Sequence, residues 1–162
     1  MILQGILIIC IIVVAAFIIN GMEDHRKGNK MSFRESMDLT ELPIVTFYQG
    51  KEKFNFLLDT GSNHSHISTE ASERIKGTPM TGEVNVSGSG GSVAVTKAIQ
   101  SELSYKDDVY NVVLLIGDHL NEAFKSMKEN TGVSVHGIIG STFLNENKYI
   151  LDFDELVAYT KE

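Results

Sequence analysis

The stretch FNFLLDTGSNHSHIS, residues 54–68, begins as an apolar strand and becomes polar at a single carboxylate, Asp59. Burying an unpaired charge at the end of an apolar run is costly, so this acid needs either solvent or a partner. Thr60, Gly61 and Ser62 follow it, and all four residue types are common in turns. Taken alone, Asp-Thr-Gly-Ser therefore predicts a loop, and the rest of the chain decides whether that loop carries chemistry.

The composition is that of one compact domain with appendages. The chain has 162 residues, of which 43% are hydrophobic, and its formal net charge is −7. This length suits one domain better than two. No dense run of Lys and Arg provides the basic stripe that a nucleic-acid surface needs. Cys10 is the only cysteine, so no disulfide can form within the chain.

The first apolar run predicts a membrane anchor. Residues 2–19 are apolar at all but two positions, and about 18 such residues can span a bilayer as a helix. A cleaved signal peptide has a similar core, but it also has a basic start and small residues before the cleavage site. This run has no Lys or Arg before it and ends in bulky Phe and Ile residues. These features favour an uncleaved transmembrane helix over residues 1–20.

Basic residues on one side of this run predict its orientation. Arg26, Lys27, Lys30 and Arg34 follow the run, and only the α-amino group precedes it. The positive-inside rule then places the C-terminal part in the cytoplasm, with the extracytoplasmic side as the alternative. Residues 21–41 are polar with little periodicity and predict a tether between membrane and domain.

From residue 42 onward the pattern is mostly that of β-strands, which predicts a domain over residues 42–162. Paired apolar or alternating runs flank short turns and predict hairpins. The predicted strands are residues 44–48, 52–58, 101–106, 109–117, 136–144, 148–153 and 156–160, with a further hairpin over 82–99. Residues 69–76 predict one or two helical turns. Leu120, Phe124 and Met127 lie at helical spacing, and Thr131-Gly132 ends that helix. The expected fold is mainly β and largely antiparallel, with one short helix.

Together with a second apolar element, the Asp59 loop resembles the active-site loop of the retropepsin-like aspartic proteases. Ile138, Ile139 and Gly140, followed by Phe143 and Leu144, match the family element that packs behind that loop. Between the two elements lies a glycine-rich hairpin tip in the position of the family's flap. Its residues are Ser87, Gly88, Ser89, Gly90, Gly91 and Ser92. The resemblance covers about residues 42–160.

The resemblance implies a closed β-barrel of the acid-protease fold that hydrolyses polypeptides with water and without a metal or cofactor. Two carboxyl groups held about 3 Å apart share one proton and act as one acid and one base. Asp59 would be the catalytic residue, and Thr60 would position the loop. Gly61 would let the backbone approach closely, and the Ser62 hydroxyl would hydrogen bond to the carboxylate.

The second carboxylate of such a pair has no source within one chain. No other acid lies in an Asp-Ser/Thr-Gly context: Asp118 precedes His119, and Asp152 and Asp154 lie in LDFDE. A two-fold axis, however, places a residue opposite its own copy. The resemblance therefore implies a homodimer in which each chain contributes one Asp59.

The sequence departs from the compact retroviral enzymes in two places. The interval from Asp59 to Gly140 is longer, and the excess falls in the helical segment of residues 118–132. Viral members often have Arg and Asn after the apolar-apolar-Gly element, where this chain has Ser141 and Thr142. How the dimer would be braced is therefore open.

Weaker signals favour other chemistry less. The SGSGGS tip lacks the Lys-Ser/Thr ending and the following helix of a phosphate loop, so a flexible hairpin tip is the better interpretation. Histidines 64, 66, 119 and 136 could be proposed as metal ligands, but no Cys or clustered carboxylate completes a site of known spacing. Ser62 as a nucleophile has no assigned base and no G-x-S-x-G turn.

The sequence thus favours a membrane-anchored, homodimeric aspartic endopeptidase. One alternative is a non-catalytic peptide-binding module of the same fold, tethered to a membrane. Another is a tethered structural β domain in which Asp-Thr-Gly-Ser is only a turn. Turnover of unfolded protein separates the first interpretation from the other two.

Overall fold

Strands dominate the computed structural model, which describes residues 27–88 and 91–161. The strands are β1 (Lys27–Ser32), β2 (Ile44–Gln49), β3 (Glu52–Asp59), β4 (Ser65–Ile67), β5 (Thr78–Gly88), β6 (Gly91–Tyr105), β7 (Asp108–Ile116), β8 (Gly137–Gly140), β9 (Tyr149–Asp152) and β10 (Val157–Lys161). The helices are α1 (Arg34–Thr40), α2 (Thr69–Ser72), α3 (Asn121–Thr131) and α4 (Ser141–Glu146). The anchor predicted over residues 1–20 lies outside the described residues. Among the described ones, no helix has the length and apolarity needed to cross a bilayer.

Six strands close into a barrel. Their order is β2-β3-β8-β4-β7-β6, and β6 returns to β2 where Ser104 pairs with Tyr48. β5 pairs with β6 and extends the sheet beyond the closed part. The prediction of a mainly β fold with a closed barrel is therefore confirmed.

Strand β3 fills the barrel with every second side chain, as the period-two geometry of a strand requires. Phe54 and Phe56 are fully buried and Leu58 is nearly so. Phe47 from β2 meets Phe56 edge to face, with ring centroids 5.9 Å apart. Asp59 follows Leu58 and so belongs to the opposite, half-buried face of the strand. The alternation keeps the acid out of the apolar barrel interior.

Two parallel pairings bring distant parts of the chain to the same end of the barrel. β3 runs parallel to β8, with Leu58 opposite Ile139 and Asp59 opposite Gly140. β4 runs parallel to β7 and antiparallel to β8. Hairpin patterns predict only neighbouring strands, so these pairings were not among the expectations from the sequence.

Helix α3 covers one outer side of the barrel. Phe124 joins Ile44, Val135 and Ile138 in a second apolar cluster, and Leu120 and Met127 pack against it. The helix ends at Gly132, which has a left-handed φ of 76° and donates its N–H to the Lys128 carbonyl at 2.9 Å. The predicted helix face and its glycine stop are both confirmed.

The segment predicted as a polar tether over residues 21–41 is part of the folded structure from residue 27 on. β1 pairs with β10, and β10 pairs with β9, which gives a separate three-stranded sheet. Met31 and Phe33 are each 1% exposed in the main core. The tether prediction is wrong for residues 27–40, because two alternating apolar residues, Met31 and Phe33, are too few to reveal a strand in a polar stretch.

The expectation of one short helix is also too low. Besides the predicted α3 and the short α2, the described chain has α1 and α4. The apolar run over residues 136–144 was predicted as one strand, but the strand ends at Gly140 and α4 begins at Ser141. Phe143 and Leu144 are buried, but they belong to this helix and not to a strand.

Candidate active site

The loop after β3 holds Asp59 at the end of a barrel strand, where the residue is only partly buried. The Gly61 N–H donates to Asp59 Oδ1 at 2.9 Å. The Ser62 N–H donates to the Asp59 carbonyl at 3.3 Å, which closes a tight turn. The backbone of the loop therefore orients the carboxylate and leaves it accessible.

The other predicted loop residues play distinct parts. A Cβ on Gly61 would lie 3.2 Å from Asp59 Oδ1, a tight contact beside the carboxylate. Thr60 is exposed. The prediction for Ser62 is wrong, because its hydroxyl donates to the His64 carbonyl at 2.8 Å rather than to the Asp59 carboxylate.

The predicted supporting element lies directly behind this loop. Ile139 is fully buried and Ile138 is 6% exposed. A Cβ on Gly140 would lie 2.5 Å from the His64 carbonyl oxygen, so the backbones touch where the two elements meet. The Gly140 N–H donates to the Ser65 hydroxyl at 3.0 Å, and Ser65 is itself buried.

Two further residues of this element also hold the loop. The Ser141 N–H donates to the Ser62 carbonyl at 2.7 Å, and the Thr142 N–H donates to the Asn63 carbonyl at 3.2 Å. The hydroxyls of Ser141 and Thr142 donate to the same two carbonyls. We refer to Gly140, Ser141 and Thr142 as the brace.

Sequence reasoning did not assign Ser65, Ser141 or Thr142 to the site. The signal for the last two was a Ser-Thr pair directly after a glycine, since small polar residues are frequent where helices begin. The apolar character of residues 136–144 instead predicted a strand through these positions. Ser65 gave no signal, because its contact with Gly140 joins residues 75 positions apart.

The buried His66 imidazole lies close enough to this loop for the Asp59 charge to affect its pKa. His66 is 3% exposed, and its Nδ1 has no hydrogen-bond partner among the described residues. Its ring meets that of His119 edge to face, with centroids 4.8 Å apart. Burial, His119 and His64 together lower the pKa of His66 from 6.5 to about 4, and the Asp59 charge counteracts part of this shift. His66 is therefore neutral near pH 7.

The structure gives little support to the alternative of a metal site built from the histidines. His136 is committed elsewhere, since its Nδ1 accepts the Asn55 N–H at 2.9 Å. Within residues 27–88 and 91–161, no three His, Cys, Asp or Glu side chains converge in a way that could hold a metal ion. His66 and His119 form only a pair.

The hairpin predicted as the flap is present in its backbone. Ser87 pairs with Ser92, and Gly88 pairs with Gly91, across the β5–β6 turn. Ser89 and Gly90 at the tip lie outside the described residues. The hairpin is thus confirmed, and its action as a flap stays a prediction.

The comparisons with known proteins agree with this geometry. The family model described as aspartyl protease matches residues 45–143, more than half of the chain. A comparison with curated proteins gave no match. The matched region runs from β2 into α4 and includes both the Asp59 loop and the brace. The chain therefore belongs to the aspartyl protease family.

Proposed function

We propose that this chain is an aspartic endopeptidase whose active site consists of two Asp59 carboxylates, one from each chain of a homodimer. The observation that carries the proposal is the placement of Asp59. It is a partly exposed carboxylate on a loop held by its own backbone and by the brace, in a chain of the aspartyl protease family.

The chemistry needs only these two carboxyl groups and water. Two carboxylates in close contact cannot both be ionised, so the pair carries one proton. The ionised member takes a proton from a water molecule that attacks the peptide carbonyl, and the protonated member supports the developing oxyanion and the leaving amine. The titration belongs to the pair rather than to either residue. Gly61 leaves room beside the Asp59 carboxylate for this water.

A homodimer supplies the second acid. The sequence has one Asp-Thr-Gly, and no other acid lies in such a context. A two-fold axis beside the loop would place Asp59 opposite its copy. The partial exposure of Asp59 supports this arrangement, because the loop is accessible to a second chain.

The substrate in this proposal is an extended polypeptide. Among the described strands, β5 pairs only with β6, so its other edge is able to accept a strand by β-augmentation. The β5–β6 hairpin would then cover the peptide above the paired acids. Ser87, Gly88, Gly91 and Ser92 form the part of this cover whose backbone is described.

We also propose that residues 1–20 anchor the enzyme in a membrane, with the catalytic domain on the cytoplasmic side. The apolar run and the basic residues after it support this topology. Because β1 begins at Lys27, only residues 21–26 would separate anchor and domain. Six residues reach at most about 20 Å, so the anchored domain would stay close to the bilayer and favour substrates there.

Cleavage by an Asp59 variant tests the proposal. The full-length wild type in detergent, Asp59→Asn and the control Asp107→Asn would each be incubated with an unfolded protein from about pH 3.5 to 7.5, with products identified by mass spectrometry. Asp107 is an exposed acid in the turn between β6 and β7. Cleavage by wild type and Asp107→Asn but not by Asp59→Asn supports the proposal. Equal cleavage by all three would overturn it, and specific peptide binding without cleavage would identify the non-catalytic module.

A further inference from the structure

Two consecutive hydroxyls at the start of α4 bind two consecutive carbonyls of the Asp59 loop. The Ser141 hydroxyl donates to the Ser62 carbonyl at 3.1 Å, and the Thr142 hydroxyl donates to the Asn63 carbonyl at 2.7 Å. Each carbonyl also accepts the backbone N–H of the same residue. The loop is therefore attached to α4 by four hydrogen bonds from two adjacent residues.

These hydroxyls do not serve the helix in the usual way. Ser and Thr near a helix start typically accept hydrogen bonds from the first N–H groups of that helix. Here the N-cap position is Gly140, which has no side chain and makes no side-chain cap. Ser141 and Thr142 instead donate outward to a segment 79 positions earlier in the chain. Their arrangement stabilises the loop rather than the helix start.

The other end of this connection is fixed to the core. Phe143 and Leu144, the next residues of α4, are 4% and 6% exposed. The Phe143 ring stacks on Tyr149 with an interplanar angle of 11°. Close-packed core side chains move little, so Phe143 and Leu144 hold the start of α4 in place. The loop carbonyls that are bound to Ser141 and Thr142 are thereby held in place as well.

We propose that Ser141 and Thr142 are positioning residues, whose hydroxyls fix the Asp59 loop in the geometry that the paired carboxylates need. This inference rests on the proposed function. It concerns the two positions at which the sequence departs from the Arg and Asn of viral members. Small displacements of reacting groups can cost on the order of 100-fold in rate, so a modest hydrogen bond can affect turnover more than stability. Thr142 has the shorter hydroxyl bond and should have the larger effect.

The test removes the Thr142 hydroxyl in the full-length protein. Thr142→Val keeps the side-chain shape and removes the donor, and Thr142→Ser restores it. Thr131→Val is the matched control, because the Thr131 hydroxyl also donates to a carbonyl, that of Met127, at 2.8 Å. We expect Thr142→Val to lower kcat by about 10-fold with little change in KM, and we expect Thr142→Ser and Thr131→Val to stay near wild type.

Amide hydrogen exchange gives a second readout that does not depend on activity. Loss of the Thr142 hydroxyl should increase the exchange rate of the Gly61 and Ser62 amides by about 10-fold, while Thr131→Val leaves those amides unchanged. Wild-type kcat and wild-type exchange in Thr142→Val would overturn the positioning role. If wild type does not cleave in an Asp59-dependent way, the proposed function fails, and the exchange rates still decide whether the hydroxyl holds the loop.

Discussion

Asp59 and Gly140 lie opposite each other on adjacent parallel strands. The Asp59 loop and the brace therefore begin side by side at the same end of the barrel. At Gly140 the two backbones leave no room for a side chain. A Cβ there would lie 2.5 Å from the His64 carbonyl oxygen and 2.8 Å from that of Ser62. Neither oxygen belongs to a flexible side chain, so the loop itself would have to move.

Gly140→Ala should therefore displace the loop and destabilise the protein. We expect a loss of about 1–3 kcal/mol in the free energy of unfolding, as for other forced overpacking, measured by urea denaturation. Gly82→Ala is the control, because a Cβ there would meet nothing within 4 Å. Equal, small effects of the two substitutions would contradict the close backbone contact behind the loop.

Phe33→Ala tests whether the segment before residue 42 belongs to the fold. Phe33 is 1% exposed and contacts the Phe153 ring, with centroids 5.6 Å apart. Its truncation should cost about 3–5 kcal/mol of unfolding free energy. Leu39→Ala, at a position that is 56% exposed, should cost less than about 1 kcal/mol. A negligible cost at Phe33 would restore the interpretation of this segment as a tether.

The low pKa of His66 predicts that acid weakens the fold. Its folded pKa of about 4 lies below the ordinary 6.5, so between these values only the unfolded chain binds the proton. The contribution of neutral His66 to the free energy of unfolding is fully present above pH 6.5. It is lost as the pH falls toward 4, by up to about 3 kcal/mol. Unfolding free energies measured across this range should depend less on pH in His66→Leu than in wild type.

His64→Leu is the matched control for this pH dependence, because His64 is exposed. It should retain most of the wild-type loss of stability between pH 6.5 and 4, because burial is the largest cause of the low pKa of His66 and the contribution of His64 is smaller. If His66→Leu retained that loss as well, the buried imidazole would not be its source.

Local patterns predicted the parts of the fold that local contacts build. The β2–β3 and β6–β7 hairpins follow from alternating runs with a turn between them, and α3 follows from the spacing of Leu120, Phe124 and Met127. The Asp59 loop was recognised from its continuous four-residue motif together with a second continuous motif at Ile138, Ile139 and Gly140. In each case the residues that decide the structure are neighbours in the sequence.

The features that the sequence did not predict depend on contacts between distant residues. β1 becomes a strand only because β10 pairs with it, with Met31 opposite Ala158. α4 begins at Ser141 because the loop carbonyls of Ser62 and Asn63 accept its first N–H groups. The apolar residues after Gly140 suit a strand or a helix equally well in isolation, and the tertiary contacts decide between them.

We propose that each active site uses two copies of Asp59, and subunit mixing is the most direct test of this proposal. Wild type and Asp59→Asn would be co-expressed in equal amounts, purified together and assayed at constant total protein. If two intact chains are needed, activity falls with the square of the wild-type fraction, to about one quarter of the all-wild-type value. Mixing with Asp107→Asn should cause no loss. A fall to about one half would show that each chain works alone and would contradict the shared active site.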